Sequence, residues 1–445
     1  MRAARKPPRR SALAAAVAPV DGSSLAVVRV ALGAVGLLSA GRIVAYGWID
    51  SLYAGPSHRF TYLGFGWVPQ PGAVTMGWLV GALAAASLAL LLGWRTRWAG
   101  LAYLGAFAWI ELIDATTYLN HYWFLTLAAA LGVVAPLGSA MSLDARRRGG
   151  PTTVVCGWVW LLRFQIGVVY AFAGLAKLQT DWLVDALPLR LWLPGRAGVP
   201  VLGALVTWSA TPHVLAVAGA AFDGLIVPAL LWRRTRLAAW LALVTFHLCT
   251  WALFPIGVFP WLMVGASMVF FAPDWPRRLL ARTGRPVAVP RVVPVRRSLV
   301  AGVLAVAWVV VQLALPLRHL AYPGDHRWTG EGYRFAWNVL LVEKSGSVTF
   351  LVREPSSGRQ WVADPSRLYT DNQLRVMAPE PDLIHQAALA IAAHERSRGH
   401  EVEVRVDAWA SLNGRPAQRL IDPTVDLAHE PRDPWPDDWI LPESR

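Results

Sequence analysis

The chain has 445 residues, of which 16% are charged and 55% are hydrophobic. With a mean hydropathy of +0.40, it is too apolar for a soluble protein of this size and is typical of a protein that crosses a membrane several times. The net charge of +14 would also suit a nucleic-acid-binding protein. However, most arginines stand in short clusters between apolar segments, where membrane topology explains them. We therefore expect the lipid bilayer as a partner and no nucleic acid.

The tryptophans and cysteines agree with this class. The 24 tryptophans are many for a soluble domain, and several flank apolar segments, where indole favours the membrane interface. Cys156 and Cys249 both lie inside apolar segments, so no disulfide framework can form in the hydrophilic parts. No group of Cys and His residues has the spacing of a metal site, and we predict no metal.

Length and apolarity predict about nine transmembrane helices. In chain order, the predicted spans are residues 24–47, 73–93, 98–116, 119–137, 153–178, 212–232, 237–253, 255–272 and 298–316. Basic clusters precede the first span and follow the second, fourth, sixth and eighth, whereas the other gaps are poor in Lys and Arg. By the positive-inside rule, the N-terminus is cytoplasmic and the segment after the ninth span is extracytoplasmic.

The chain divides into three predicted parts. Residues 1–20 form a basic cytoplasmic tail, residues 21–316 a transmembrane catalytic domain, and residues 317–445 an extracytoplasmic domain. The predicted fold class is an all-α polytopic membrane bundle with a small C-terminal mixed α/β domain. Two aromatic connections on the outer side, residues 50–70 and 181–209, are expected to lie at the membrane interface and to cover a site.

The C-terminal part combines strand patterns with one helix pattern. Apolar residues at helical spacing predict a helix over residues 381–398. Residues 344–347 and the pair Asn413 and Gly414 are predicted to form turns. The predicted strands are residues 347–354, 360–364 and 401–409.

Lys177 is the residue on which the functional interpretation depends. It ends the fifth predicted span, and the small residues Ala173 and Gly174 leave room beside its amine. A lysine at such a position often does no more than reach the lipid headgroups. An amine near an apolar phase can also lose its proton and act as a base.

Asn120 and His121 open the fourth span on the same predicted side. Asn120 could cap the helix with His121 at the interface, or the two could hold an oxygen of a substrate while His121 shares a proton. The residues alone leave both alternatives open. Glu111 is a candidate site acid, whereas Asp114 is expected to cap a helix or meet water.

Three more polar residues fall inside spans, where ionisable groups are costly. His247 is either a buried, satisfied histidine or a site residue. Asp223 is expected to pair with a basic residue of another helix, for which Arg29 and Arg163 are candidates. Arg163 itself is expected to be structural and to need a carboxylate or carbonyl partner.

Ordered motifs along most of the chain resemble those of the vitamin K-dependent γ-glutamyl carboxylases. The likeness is to the shorter bacterial members that share the HTTM membrane region, and it covers about residues 20–430. The motifs are residues 60–68, 118–122, 174–182, 246–247, 254–261, 332–337, 413–415, 421–423 and 425–427.

The resemblance implies a multi-pass enzyme of the bacterial plasma membrane. Such an enzyme oxygenates a reduced naphthoquinone, vitamin K hydroquinone or menaquinol, to its epoxide, with O2 and CO2 as co-substrates. It couples this reaction to γ-carboxylation of glutamate in a peptide or protein. The family's base falls on Lys177, and its Asn-His pair, which holds and polarises the quinone, falls on Asn120 and His121.

The same resemblance assigns further site residues. The family's pocket histidine falls on His247, and an aromatic position near the reacting centre falls on Tyr333. Phe259 is expected to contact the quinone, and Arg334 and Trp337 are expected to bind the glutamyl substrate.

The chain also departs from the animal members. They carry two adjacent lysines where this chain has Ala176 and Lys177, and they have a longer luminal portion with a disulfide. Propeptide recognition of the animal kind is therefore not expected. Two alternatives stay open: a quinol epoxidase or oxidoreductase without carboxylation, and a non-enzymatic quinone- or lipid-binding membrane protein.

Overall fold

The computed structural model describes residues 16–284, 286–294 and 298–444. Each of the nine predicted spans contains a helix. In chain order these helices are α1 (Ser23–Ala45), α2 (Ala73–Leu92), α3 (Thr96–Leu112), α4 (Asn120–Val134), α5 (Cys156–Ala176), α6 (Thr211–Leu231), α7 (Arg236–Leu253), α8 (Phe259–Ser267) and α9 (Leu299–Leu317).

Among the described residues, six of these helices are long and apolar enough to cross a membrane: α1, α2, α5, α6, α7 and α9. The other three are shorter, with 17 residues in α3, 15 in α4 and 9 in α8. The structure therefore shows a helical membrane protein but does not confirm the predicted count of nine spans.

The helices pack in a bundle around α1. Helix α1 contacts α2 and α8, α3 lies between α2 and α4, and α6 packs on α5. Helix α9 is peripheral, since only 11% of its most apolar stretch is buried. A hydrogen bond of 3.1 Å from Gln165 Nε2 to Gln312 Oε1 joins it to α5. Its exposed apolar surface needs lipid rather than water around it.

Arg29 ties α1 to its neighbours at one end of the bundle. The side chain is 1% exposed, and its Nη1 donates to the carbonyl oxygens of Leu90 and Leu91 at 2.5 and 2.7 Å. Its Nη2 donates to the carbonyl oxygen of Met141 at 2.6 Å. Gly93, which ends α2 at φ 68°, leaves room for this guanidinium, because a Cβ there would lie 2.7 Å from Arg29 Nη1.

The basic connections meet at this same end. Strands β1 (Pro19–Asp21) and β2 (Thr153–Val155) pair antiparallel there, and Asp21 forms an ion pair of 2.6 Å with Arg277. Of the predicted basic tail, residues 1–15 lie outside the described residues. Residues 19–21 belong to this small sheet, and the tail predicted over residues 1–20 stays a prediction.

The elements of the C-terminal part are β3 (Lys344–Arg353), β4 (Gln360–Ala363), α10 (Asp371–Met377), α11 (Pro381–Ser397), β5 (Glu403–Leu412) and β6 (Gln418–Arg419). The four strands form an antiparallel sheet at its centre, with the order β4-β3-β5-β6. Every second residue of β5 is buried, as expected for a strand with one face on the core. Helix α11 packs against β5, and α10 begins with a capping box between Thr370 and Gln373.

Two turn predictions had different outcomes. Asn413 and Gly414, at φ 52° and 75°, form the turn after β5, as predicted. The predicted turn at residues 344–347 is wrong, because these residues are the first four of β3. Gly346 is needed there for close packing, since a Cβ on it would lie 2.7 Å from the carbonyl oxygen of Ala378.

The two outer connections join the membrane helices to the C-terminal domain. In the first, Phe60 is fully buried and stacks on Tyr369 at 4.5 Å between ring centroids. That residue therefore lies in the core of the C-terminal domain, not at the membrane interface where we expected it.

In the second connection, Asp181 accepts hydrogen bonds from Asn413, at 2.8 Å, and from Arg415. Burial alone would raise the pKa of Asp181, but these two donors lower it below its usual value. The aspartate therefore stays ionised and fastens this connection to the C-terminal domain.

Arg29→Met is expected to lower the stability of the bundle by about 2–4 kcal/mol, because three buried carbonyls lose a charged donor. Thermal unfolding of the purified protein in detergent measures the effect. Arg97→Met is the matched control, since Arg97 is exposed at the same end. Equal midpoints for the two variants would contradict the role of Arg29.

Candidate active site

Lys177 directly follows α5 and forms a buried ion pair with Asp223 of α6. Its Nζ lies 2.9 Å from Asp223 Oδ2, and the two side chains are each 6% exposed. The amine also donates to the carbonyl oxygens of Ala173 and Val339, both at 3.3 Å, and lies 5.1 Å from the ring centroid of Trp182. The amine of Lys177 therefore has a buried carboxylate partner and is not an isolated lysine.

Close packing of two helices makes this pair possible. A Cβ on Gly174 of α5 would lie 3.1 Å from the backbone nitrogen of Gly224 and 3.4 Å from Asp223 Cβ. A glycine at this point therefore lets α6 approach closely enough for its aspartate to reach Lys177.

Asp223 pairs with a basic residue from another helix, as expected, but the partner is Lys177 and the candidates Arg29 and Arg163 were wrong. Arg29 donates instead from Nη1 and Nη2 to carbonyls at the far end of the bundle. Arg163 donates to the carbonyl oxygens of Val269, Phe270 and Phe271, as expected for a structural arginine with carbonyl partners.

A small cavity of about 130 Å³ lies beside the ion pair. Lys177, Asp223, Tyr170, His247 and Phe259 contribute to its lining, and the remaining wall is mostly apolar. His247 Nε2 shares a hydrogen bond of 2.8 Å with the Tyr170 hydroxyl. His247 Nδ1 is buried and has no hydrogen-bond partner within the part of the chain that the structure describes.

His121 also lies near the Phe259 ring. The ring centroid of Phe259 is 5.9 Å from that of His121 and 5.5 Å from that of His247. His121 is 8% exposed, and its Nε2 is buried without a hydrogen-bond partner among the described residues. Two unsatisfied imidazole nitrogens therefore flank one aromatic ring.

Asn120 is the first residue of α4, but Leu119 occupies the N-cap position. The Asn120 side chain is used elsewhere: its Nδ2 donates to the carbonyl oxygen of Asn338 at 3.0 Å, and its Oδ1 accepts from the Tyr118 hydroxyl at 2.9 Å. The structure therefore does not use Asn120 as a helix cap.

Residues 333–340, here called the connecting loop, contact both Asn120 and Lys177. The carbonyl oxygens of two consecutive residues, Asn338 and Val339, accept from Asn120 and Lys177. Three non-glycine residues of the loop have left-handed backbones, with φ 62° at Phe335, 61° at Trp337 and 50° at Leu340. Such conformations persist where the surrounding structure enforces them.

Three predicted site residues lie away from Lys177. Trp337 is 1% exposed and packs edge-on against Phe124 in the core of the bundle. Tyr333 lies with its ring centroid 5.9 Å from that of His326, and Arg334 forms an ion pair of 3.1 Å with Asp382. Their functional roles stay predictions, as do those of Lys177, Asn120, His121, His247 and Phe259.

Arg334 lines a second, larger cavity of about 610 Å³ between α3, α4, α9 and the C-terminal domain. Glu111, the candidate acid, also lines it, and its carboxyl forms no hydrogen bond or ion pair within the described residues. Asp114 instead caps the short turn at Ala115–Thr117 and accepts from Gln373 Nε2 at 2.7 Å. The expectation of a capping role for Asp114 is confirmed.

Sequence reasoning missed Arg42, which lies near His121. It is an ionisable residue inside the first predicted span, and that alone is a signal of function. The carbonyl contacts of the connecting loop were also missed, and no side-chain pattern could have revealed them.

Removing one partner of the ion pair is expected to lower the stability of the protein more than removing both partners. Asp223→Ala leaves a buried ammonium without its carboxylate and should destabilise the protein by about 3–5 kcal/mol. The double variant Lys177→Met with Asp223→Leu should recover most of this loss, because it replaces the charges by apolar groups of similar size. Thermal unfolding of both variants in detergent checks this; strictly additive losses would contradict it.

Asp437, which lines the larger cavity, provides a pH-dependent prediction. Burial, together with the nearby Glu331 and Asp382, raises its pKa to about 7. Because the folded-state pKa is the higher one, its contribution to stability is fully present below about pH 4 and is lost as the pH rises from there through about 7.

Asp437→Asn should therefore raise the unfolding temperature most at about pH 8 and have little effect at about pH 4. Asp185→Asn serves as the control, because Asp185 is not among the carboxyls that act on Asp437. If Asp437→Asn stabilises the protein equally at both pH values, ionisation is not the cause.

Comparison with known proteins identifies the family. The family model of the HTTM domain matches residues 17–275, more than half of the chain. The model of the vitamin K-dependent gamma-carboxylase lumenal domain matches residues 297–445 and therefore includes α9. The domain boundary that the sequence predicted at residue 317 stays a prediction. No solved structure matches the chain. Both matches together show that the chain belongs to the vitamin K-dependent gamma-carboxylase family.

Proposed function

We propose that this protein is a membrane carboxylase that acts on glutamate in a peptide or protein. It couples γ-carboxylation to oxygenation of a reduced naphthoquinone, vitamin K hydroquinone or menaquinol. In balance, the quinol and O2 become the epoxide and water, while CO2 and the γ-C–H group become a γ-carboxylate and a proton. The observation that carries the proposal is the buried pair of Lys177 and Asp223 beside an apolar cavity.

The residues around Phe259 fit a naphthoquinone. The ring of Phe259 offers an aromatic face, and the unsatisfied nitrogens of His121 and His247 need polar partners. The two oxygens of a naphthoquinone ring could provide such partners. When bound, the reduced naphthoquinone supplies the reaction with O2 that generates a base strong enough for the γ-C–H bond.

The Lys177–Asp223 pair is proposed as the proton acceptor for the ligand hydroxyl. The pair is neutral as a whole and can accept one proton: the O–H bond of the ligand breaks, and the amine and carboxylate share the additional proton. Burial keeps water from competing for this proton. The carbonyls of Ala173 and Val339 keep the amine directed along the cavity wall.

We propose that the glutamyl segment enters through the larger cavity. This cavity lies between the membrane helices and the C-terminal domain, and Arg318, Arg334 and Arg432 line it. Arg334 and Arg432 are paired with Asp382, and Glu111, Glu331, Asp433 and Asp437 also line the cavity. Arg318 Nη1 is buried without a hydrogen-bond partner among the described residues and suits a carboxylate of an entering chain. Phe335 of the connecting loop lines the larger cavity, and Val339 lines the smaller one. A movement of this loop would therefore be the simplest way to connect the two cavities.

The proposed location is a bacterial plasma membrane, with a cytoplasmic N-terminus and an extracytoplasmic C-terminal domain. Support comes from the ends of the bundle. The basic connections around Arg95, Arg148 and Arg277 meet at the end where β1 pairs with β2, whereas the C-terminal domain covers the end with Lys177.

The test uses purified protein with a reduced naphthoquinone, O2, labelled bicarbonate and a glutamyl peptide. Lys177→Met is expected to lower both epoxide formation and label fixed in peptide by about a hundredfold or more, as is usual for loss of a general base. Lys344→Met is the matched control: it removes another partly buried lysine, which donates to the carbonyl oxygen of Trp328.

Each outcome distinguishes a function. Epoxide without fixed label selects the quinol epoxidase, and tight quinone binding without turnover selects a carrier. If Lys177→Met makes as much epoxide as the unmodified protein, the assignment of the base is wrong.

A further inference from the structure

Arg42 in the last turn of α1 is a cation without a carboxylate partner among the described residues. Its guanidinium lies over the rings of Tyr46 and Trp48, at 5.7 and 5.3 Å from their centroids. Within the described ranges of the chain it forms no ion pair. It lies inside the first predicted span, where such a charge is costly unless it is used.

Gly257 brings Arg42 and His121 to one place. This glycine has φ 60°, and a Cβ on it would lie 2.6 Å from Arg42 Nη1 and 3.4 Å from His121 Nε2. Both nitrogens therefore point to the same small region, two residues before Phe259. A glycine is needed there both for its backbone conformation and for the space it leaves.

The charges around the site single out Arg42. The charge of Lys177 is balanced by Asp223 at 2.9 Å. Glu111 and Arg42 are both close enough to Tyr122 for their charges to influence its hydroxyl. However, Glu111 lines the larger cavity and forms no ion pair with Arg42. A negative charge that forms on a ligand beside His121 thus has Arg42 as its nearest uncompensated cation among these groups.

We infer that Arg42 is the counter-ion for a negatively charged ring oxygen bound at His121. The inference rests on the proposed function for the identity of the ligand as a naphthol-type ring. When the O–H bond of the ligand breaks and its proton passes to the Lys177–Asp223 pair, the oxygen keeps the electron pair. Arg42 and the imidazole of His121 stabilise the charge that results, as preorganised donors do in water-poor sites.

This role predicts a preference for anionic over neutral rings, which is measured by binding alone. The probes are a nitrated naphthol that is fully ionised at neutral pH and its methyl ether, which has the same ring and no charge. The full-length protein in lipid nanodiscs is expected to bind the ionised naphthol about tenfold or more tightly than the ether.

Arg42→Gln should reduce this anion preference by about tenfold and leave the affinity for the ether nearly unchanged. Arg42→Lys should keep part of the preference, because it keeps the charge. Arg190→Gln is the matched control, since it removes an exposed arginine from the second outer connection. If Arg42→Gln does not fold, Gly257→Ala provides the same test by separating Arg42 from His121.

The result that overturns the inference is an unchanged anion preference in folded Arg42→Gln, which would leave Arg42 as an interfacial anchor of α1 only. The two proposals also fail separately. An anion preference that depends on Arg42 in a protein without carboxylase activity supports this inference and refutes the proposed function. Carboxylation by a protein with no anion preference does the reverse.

Discussion

The structure of this site depends on keeping two opposite charges together in apolar surroundings. A buried ammonium is tolerated only when it is paired and hydrogen-bonded. Here Asp223 supplies the carboxylate, and the carbonyls of Ala173 and Val339 take the remaining donors. Each partner belongs to a different segment, so this requirement fixes the contact of α5 with α6 and the path of the connecting loop above them.

The helices and the polar residues at their outer ends could be predicted from sequence, because hydropathy and the alternation of basic gaps are local signals. Lys177 and Asn120 both donate to consecutive carbonyls of the connecting loop. The partner of Asp223 could not be predicted. Arg29 and Arg163 were equally good partners in sequence, and only the packing of helices shows that both donate to carbonyls instead.

The structural roles of the glycines were the hardest to predict from the sequence. Gly346 looked like part of a turn, yet it lies inside β3, where a close approach to Ala378 requires it. Gly174 and Gly257 likewise set distances between side chains that are far apart in the sequence. A sequence marks such positions as flexible, whereas in the folded chain their missing side chain leaves the space that charged groups need.

The connecting loop uses its main chain, not its side chains, to reach Asn120 and Lys177. A substitution at Val339 can therefore leave these two contacts in place, whereas the buried side chain of Asn338 also donates to the carbonyl oxygen of Tyr333 and helps to shape the loop. Chimeras built from two relatives would accordingly succeed or fail by the length and curvature of this segment. The membrane helices and the C-terminal domain must be inherited together, since neither alone supplies all the contacts of Lys177.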